Sequence, residues 1–174
     1  CIDTQKVHIS SAIASGYKYM LIVTSDEAKA RKMCDDASFF NKEAIYYPAK
    51  DAIFYSADVH GNQITGERLR CISRIINHSS TGEGVLTVVT TMDGIADRLI
   101  PVERFKEAVI TLDYSSEIEP EKLAKKLVAM GFVRTGMVED KGQFAIRGGI
   151  IDIFSYTDEA PVRIELWDTE VDSI

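Results

Sequence analysis

The sequence lacks the features that would place it on a nucleic acid or in a membrane. Its 20 lysines and arginines are outnumbered by 27 aspartates and glutamates, which gives a net charge of −7. An autonomous nucleic-acid binder normally has a basic excess. No apolar run approaches the roughly 20 residues of a membrane helix, and no signal-peptide pattern opens the chain. We therefore expect a cytoplasmic protein and, since the sequence starts at Cys1 rather than Met, a piece of a longer one.

Cysteine and histidine are also scarce. The three cysteines, Cys1, Cys34 and Cys71, are odd in number and far apart, and the three histidines are isolated from other metal-ligand side chains. Neither set has the spacing of a zinc site. There is no nucleophile elbow and no pattern that pairs a cysteine with a histidine. The sequence therefore predicts a reducing compartment, buried or idle thiols, and no metal, cofactor or catalytic residue.

The place to look for a phosphate-binding loop is the opening of the chain, residues 1–7. In such a loop, glycines bring backbone N–H groups against phosphate, and a Lys followed by Ser or Thr reaches the phosphates and the magnesium. Here Lys6 is suitably placed, but no glycine precedes it and Val7 replaces the hydroxyl. Asp3 would also repel phosphate. We expect this stretch to bind ATP poorly.

Residues 1–98 alternate helical patterns with short apolar runs. This order is typical of an α/β lobe with a parallel sheet and right-handed crossovers. The predicted strands are Tyr19–Thr24, Ala44–Tyr47 and residues 85–90. The predicted helices are residues 2–16, a segment capped by Ser25 and ending near Phe40, residues 63–77 and residues 95–99. Residues 48–62 and 90–93 are predicted to be loops.

The pattern changes near residues 97–101, which gives a second lobe at residues 99–174. Its predicted helix begins at Pro120 and ends just before Gly131, in keeping with the preference for proline at the start of a helix and glycine just past its end. The predicted strands are residues 109–112, residues 132–138, Gln143–Arg147, Ile150–Phe154 and Val162–Trp167. One helix followed by hairpin-linked strands indicates a smaller α+β lobe with a mostly antiparallel sheet.

Alternation along the last strands separates a core face from a charged face. The apolar set comprises Phe144, Ile146, Val162, Ile164 and Leu166. The opposite set comprises Arg147, Arg163, Glu165 and Trp167. The spacing leaves two interpretations open. The charges could form ordinary cross-strand pairs on a solvated face, each worth roughly 0–1 kcal/mol, or Arg147 and Arg163 could anchor a partner on a docking surface.

The same strands carry two motifs of a known family. Residues 142–154 follow G-x-F-x-x-R-G-G/D-x-x-D-I-F. Residues 161–174 follow P-x-R-I-E-x-F/W-x-D/E-E-x-D-S-I except at the D/E position, where this chain has Thr169. This stretch resembles the UvrB-homology segment shared by the excision-repair protein UvrB and the transcription-repair coupling factors (Mfd), and weaker similarity covers the rest of the chain. The coupling factors fit better, because they resemble this chain in their degenerate phosphate-binding loop. The link after Tyr47 is also too short for UvrB's DNA-gripping hairpin.

The resemblance implies a degenerate P-loop NTPase-like first lobe and a second lobe that binds the repair protein UvrA. Matched motif by motif, the implied UvrA contacts are Arg147, Arg163 and Glu165, together with Arg134. UvrB has a further arginine two residues before the position of Arg147, where this chain has Ala145. A contact at that position would be lost or made differently.

The resemblance further implies a non-catalytic adaptor that recruits UvrA to a stalled RNA polymerase in transcription-coupled nucleotide excision repair. The full-length protein would be an ATP-driven translocase that binds RNA polymerase and double-stranded DNA through other parts. In the family, another domain of the same protein can mask the docking surface. Two alternatives remain: a UvrB-like ATPase or helicase lobe acting in excision repair, and a sheet that serves only packing within the protein.

Overall fold

The computed structural model describes residues 3–50, 58–82 and 84–174. The chain divides into two compact units, Cys1–Leu99 and Ile100–Ile174. Within the described residues, no helix combines the length and the apolar character that crossing a membrane requires. The roles predicted for the two lobes, a degenerate nucleotide-binding-type lobe and a UvrA-binding lobe, stay predictions.

The first unit is built on a three-stranded parallel sheet. Its elements in chain order are α1 (Asp3–Ala14), β1 (Tyr19–Thr24), α2 (Glu27–Phe40), β2 (Ala44–Tyr47), α3 (Asp58–Thr81), β3 (Leu86–Thr91) and α4 (Met92–Ala96). The strand order is β1-β3-β2, and both pairings are parallel. The predicted parallel α/β arrangement is confirmed, because short apolar runs separated by helical segments leave few other solutions.

Two apolar clusters lie on opposite faces of this sheet. On one face, α1 and α2 pack against Val89, with Val7 and Ala30 fully buried between them. On the other, α3 contributes Cys71 to a cluster that contains Leu86. The predicted buried thiols are confirmed for Cys34 and Cys71. Burial raises the pKa of the Cys71 thiol to about 12, and burial likewise raises that of Cys34.

Several predicted helix starts in the first unit are wrong. Asp26, not Ser25, caps α2: its carboxylate accepts a hydrogen bond from the backbone N–H of Lys29 at 2.8 Å. Helix α3 begins at Asp58, so residues 58–62 of the predicted loop are helical, while residues 51–57 lie outside the described residues. Helix α4 begins at Met92, because the Thr91 hydroxyl caps it by accepting from the backbone N–H of Gly94.

The second unit is a five-stranded sheet with one long helix on its core side. Its elements are α5 (Val102–Glu107), α6 (Pro120–Ala129), β4 (Val133–Arg134), β5 (Gln143–Arg147), β6 (Ile150–Phe154), β7 (Val162–Trp167) and β8 (Glu170–Ser173). The sheet order is β4-β5-β6-β7-β8. Only β4 pairs in parallel, so the sheet is mixed but mostly antiparallel. Leu123 and Leu127 of α6 pack against Phe144, Ile151 and Ile164.

Two strand predictions for the second unit are wrong, and two short elements were missed. Residues 109–112 form no strand, although Ile110 and Leu112 pack against the core, because an irregular segment can bury alternate side chains without pairing. The strand predicted at 132–138 is reduced to β4. Helix α5 and strand β8 were not predicted, since each is short and β8 has a single apolar residue, Val171.

Candidate partner-binding face of the second sheet

Strands β5, β6 and β7 present one side to α6 and the core and the other side to solvent. Ile164 is only 1% exposed and Phe144 is fully buried, whereas Trp167 is 80% exposed. The predicted alternation is therefore confirmed. We call the side opposite α6 the outer face. Its residues, aligned across the strands by their pairing, are Gln143, Ala145, Arg147, Ile150, Asp152, Phe154, Arg163, Glu165 and Trp167.

Asp152 lies at the centre of the outer face and binds two arginines. It is paired with Arg163 across β6 and β7. The Nε and Nη2 of Arg163 donate to its two carboxylate oxygens at 2.7 and 3.0 Å. Arg147, at the end of β5, donates from Nη2 to Oδ2 of the same carboxylate at 2.5 Å. One carboxylate therefore holds two guanidinium groups from two different strands.

The electrostatics of this triad favour the charged forms of Asp152 and Arg163. Hydrogen bonds from Arg163 are the main cause that lowers the pKa of Asp152, against an opposing effect of burial, and Arg147 contributes further. The hydrogen bonds and charge of Asp152 in turn raise the pKa of Arg163. Bidentate pairs of this kind are among the stronger hydrogen bonds in proteins and fix the plane of the guanidinium.

The two arginines remain accessible although they are paired. Their side chains are 46% and 54% exposed, whereas the Asp152 residue is 8% exposed. A guanidinium carries five N–H donors, and two groups of Arg163 suffice to bind Asp152. Both arginines therefore keep donors that Asp152 does not use, on side chains that are about half exposed. Asp152 itself lies too deep to meet a partner directly.

Glu165 and Trp167 continue the outer face along β7. Glu165 is exposed and accepts a hydrogen bond from the Ser173 hydroxyl at 3.1 Å. Trp167, two residues further on, is the most exposed large residue of this strand. The face thus combines two fixed cations with one exposed carboxylate and one exposed aromatic side chain.

Arg134 is not on this face. In the pairing of β4 with β5 it is aligned with Phe144, a core-side residue. Its guanidinium lies 3.8 Å from the carboxylate of Glu121 on α6. Three of the four predicted contact residues are therefore brought together on the outer face, and Arg134 lies on the helix side of the sheet. Ala145 is almost completely buried beside Asp152, so it offers little surface to a partner.

Sequence reasoning missed two residues of this face as functional candidates. Asp152 stands between Ile151 and Ile153 in a core strand, and a charged residue in that setting is the signal that a buried partner is needed. Trp167 was placed on the correct face, but its exposure could not be read from the pattern alone. Exposed aromatic side chains are enriched where proteins bind each other.

The first unit offers no comparable site within residues 3–50, 58–82 and 84–99. There, as in the described part of the second unit, no group of three His, Cys, Asp or Glu side chains could hold a metal ion. Val7, at the position of the phosphate-loop hydroxyl, is fully buried in the core and has no hydroxyl to offer a nucleotide. The P-loop-like character predicted for this unit is not confirmed.

Comparison with known proteins supports the resemblance of the outer-face motifs. The family profile of the UvrB interaction domain matches residues 110–174, which include the whole sheet of the second unit. The chain is 38% identical, over 99% of its length, to a transcription-repair-coupling factor of Bacillus subtilis. Nearly the whole chain therefore matches one module of the transcription-repair coupling factors, and residues 110–174 match the UvrB interaction domain.

Coupling factors from other organisms are similar to the chain to about the same degree. A transcription-repair-coupling factor of Staphylococcus aureus is 34% identical over 95% of the chain, and one of Staphylococcus haemolyticus is 35% identical over 90%. The chain spans only 13–14% of the length of these relatives. The similarity therefore concerns one module, and the activity of the longer proteins does not follow from it.

Proposed function

We propose that the chain is a non-catalytic adaptor module that docks UvrA on the outer face of its second unit. In this role it would recruit UvrA to a stalled RNA polymerase during transcription-coupled nucleotide excision repair. The observation that carries the proposal is the fixed and accessible pair of guanidiniums, Arg147 and Arg163, inside the region that matches the UvrB interaction domain.

The composition of the outer face suits a specific protein contact. Arginine and tryptophan are the residues most enriched among those that dominate binding energies. Trp167 supplies an exposed aromatic surface next to Glu165, which accepts hydrogen bonds. Charged groups of both signs fix the orientation of a partner and disfavour wrong ones. A nucleic acid would be repelled by the carboxylate of Glu165 and by the overall charge of −7.

The direct test is a titration of the chain with UvrA from the same organism. Arg163→Ala, Arg147→Ala and Trp167→Ala are each expected to weaken binding by about 2 kcal/mol or more, which is roughly a 30-fold rise in Kd. Lys125→Ala is the matched control, since Lys125 is an exposed cation on α6, on the other side of the sheet. Circular dichroism would establish that each variant is folded.

The outcomes separate the proposal from its alternatives. Parent-like binding by all three outer-face variants would place docking elsewhere, and the failure of the unmutated chain to bind UvrA would remove the adaptor function. Arg134→Ala tests the fourth implied contact: a similar loss of binding would extend the docking surface past the edge strand β4 to the helix side.

In a longer protein, other regions would contact RNA polymerase and double-stranded DNA, and another domain could cover the outer face until it is needed. Masking can be measured directly. A full-length coupling factor that binds UvrA more weakly than the isolated module, with the loss reversed by removal of the covering domain, would support it.

A further inference from the structure

The outer face raises a question about how two exposed arginines can serve as anchors. A free arginine side chain samples many rotamers, and immobilising it on binding has an entropic cost. Here, both guanidiniums are already held by the carboxylate of Asp152, at 2.5 Å for Arg147 and at 2.7 and 3.0 Å for Arg163. Part of the ordering that docking requires is therefore present before a partner arrives.

We propose that Asp152 is a positioning residue for partner binding, which fixes Arg147 and Arg163 so that their outward N–H groups together receive one acidic group of UvrA. This inference rests on the proposed function. Asp152 acts only through the arginines, because it is 8% exposed and lies beneath them.

The charge balance defines the group that would bind. Two guanidiniums and one carboxylate leave a single net positive charge, and about half of each arginine side chain is exposed. The complementary group is one carboxylate of the partner, from an aspartate or glutamate, which accepts N–H groups from both arginines. Glu165, beside Arg163 on the strand, would then face a hydrogen-bond donor or cation of the partner.

A purely structural role for Asp152 makes different predictions. If the triad only ties β5, β6 and β7 together, loss of Asp152 lowers stability but leaves the affinity of the folded protein unchanged. If Asp152 instead competes with the partner for the arginines, its loss strengthens binding. Positioning alone predicts weaker binding by a folded variant that carries one more net positive charge.

The first experiment measures the kinetics of UvrA binding by Asp152→Asn. We expect about 10-fold weaker binding, mainly through faster dissociation, because two rotamer-rich side chains must now be ordered on binding. The matched control is Asp113→Asn, which removes a carboxylate that is likewise hydrogen-bonded, but to Ser115 and Ser116 in a turn outside the sheet. This control should bind like the parent.

A double-mutant cycle tests whether Asp152 acts through Arg163. In an Arg163→Ala background, Asp152→Asn should weaken binding less than it does in the parent, since one of its two targets is gone. Full additivity would overturn the proposal, as would binding by Asp152→Asn that equals or exceeds that of the parent.

Arg163→Lys covers the case in which Asp152→Asn does not fold. Lysine keeps the charge but cannot bind both carboxylate oxygens in a fixed plane. Binding should fall about as far as in Arg163→Ala, whereas parent-like binding would overturn the proposal.

A partner-free measurement separates this inference from the proposed function. In ¹⁵N NMR spectra, the Nε–H signal of Arg163 should be resolved and slow to exchange in the parent, and lost to rapid exchange in Asp152→Asn. If this holds while the unmutated chain does not bind UvrA, the proposed function fails although Asp152 does order the arginine. An Arg163 signal that is unchanged in Asp152→Asn would overturn the positioning role, whatever UvrA does.

Discussion

Replacing Ile164 by alanine should destabilise the second unit far more than replacing Val162, its neighbour on the same face of β7. Ile164 is 1% exposed and packs in the cluster that contains Phe144, Ile151 and Leu127. Removing a fully buried isoleucine side chain costs about 2–5 kcal/mol, through lost burial and the cavity that remains. A unit of this size typically has a free energy of unfolding of only about 4–11 kcal/mol.

Val162 is the matched comparison because it is β-branched, on the same strand and core-facing, yet 36% exposed at the strand end. Val162→Ala should cost about 1 kcal/mol or less, since little apolar area returns to water. The assay is urea unfolding followed by the fluorescence of Trp167, the single tryptophan of the chain, which lies on this strand. Far-UV circular dichroism would be recorded in parallel. Equal losses for the two variants would refute the assignment of the core side of the sheet.

Three further predictions follow from particular contacts. Arg68→Met should lower the free energy of unfolding by about 3 kcal/mol, because the Arg68 side chain is 7% exposed, pairs with Asp97 and donates to the Pro48 carbonyl. Its control is Arg74→Met, which loses an exposed pair with Glu43 and should cost about 0–1 kcal/mol. Thermal unfolding would measure both variants. Gly149→Ala should destabilise the second unit by about 1–3 kcal/mol, since its new Cβ would lie 2.7 Å from the Leu166 carbonyl oxygen, whereas Gly136→Ala, with open space around it, should be neutral or slightly stabilising by urea titration. The pKa of Asp152 is lowered in the folded state, so its charged form stabilises the fold above its ordinary pKa of about 3.9, and this contribution is lost as the pH falls through the lowered value. The difference in unfolding free energy between the parent and Asp152→Asn should therefore stay constant from pH 5 to 7 and shrink below about pH 4.

Five of the strands were predictable because the signal for each lies within its own residues. β1, β2, β5, β6 and β7 each combine an apolar run or a strict alternation with clear turn residues on either side, and the structure places them at the predicted positions. Short elements with few apolar residues carry no such signal. Helix α5 and strand β8 are of this kind, and their formation depends on neighbours that are distant in sequence.

The content of the outer face was only partly predictable. Alternation gave the side of the sheet for Arg147, Arg163 and Glu165, but the position of Arg134 depends on how β4 pairs with β5. That pairing is parallel and aligns Arg134 with Phe144 on the helix side. A pattern within one strand cannot specify its alignment with another, so the structure was required to separate Arg134 from the other three residues.

The two interpretations of the charged residues, internal ion pairs and docking anchors, are therefore not exclusive. An exposed ion pair adds little stability by itself, so stability alone gives weak reason for two arginines to share one nearly buried carboxylate. The same arrangement has a clear consequence for binding, because it orders the guanidiniums in advance while leaving about half of each side chain exposed. In the docking that we propose, the pairing reduces the conformational entropy that the arginines lose, and their remaining N–H donors provide the contact.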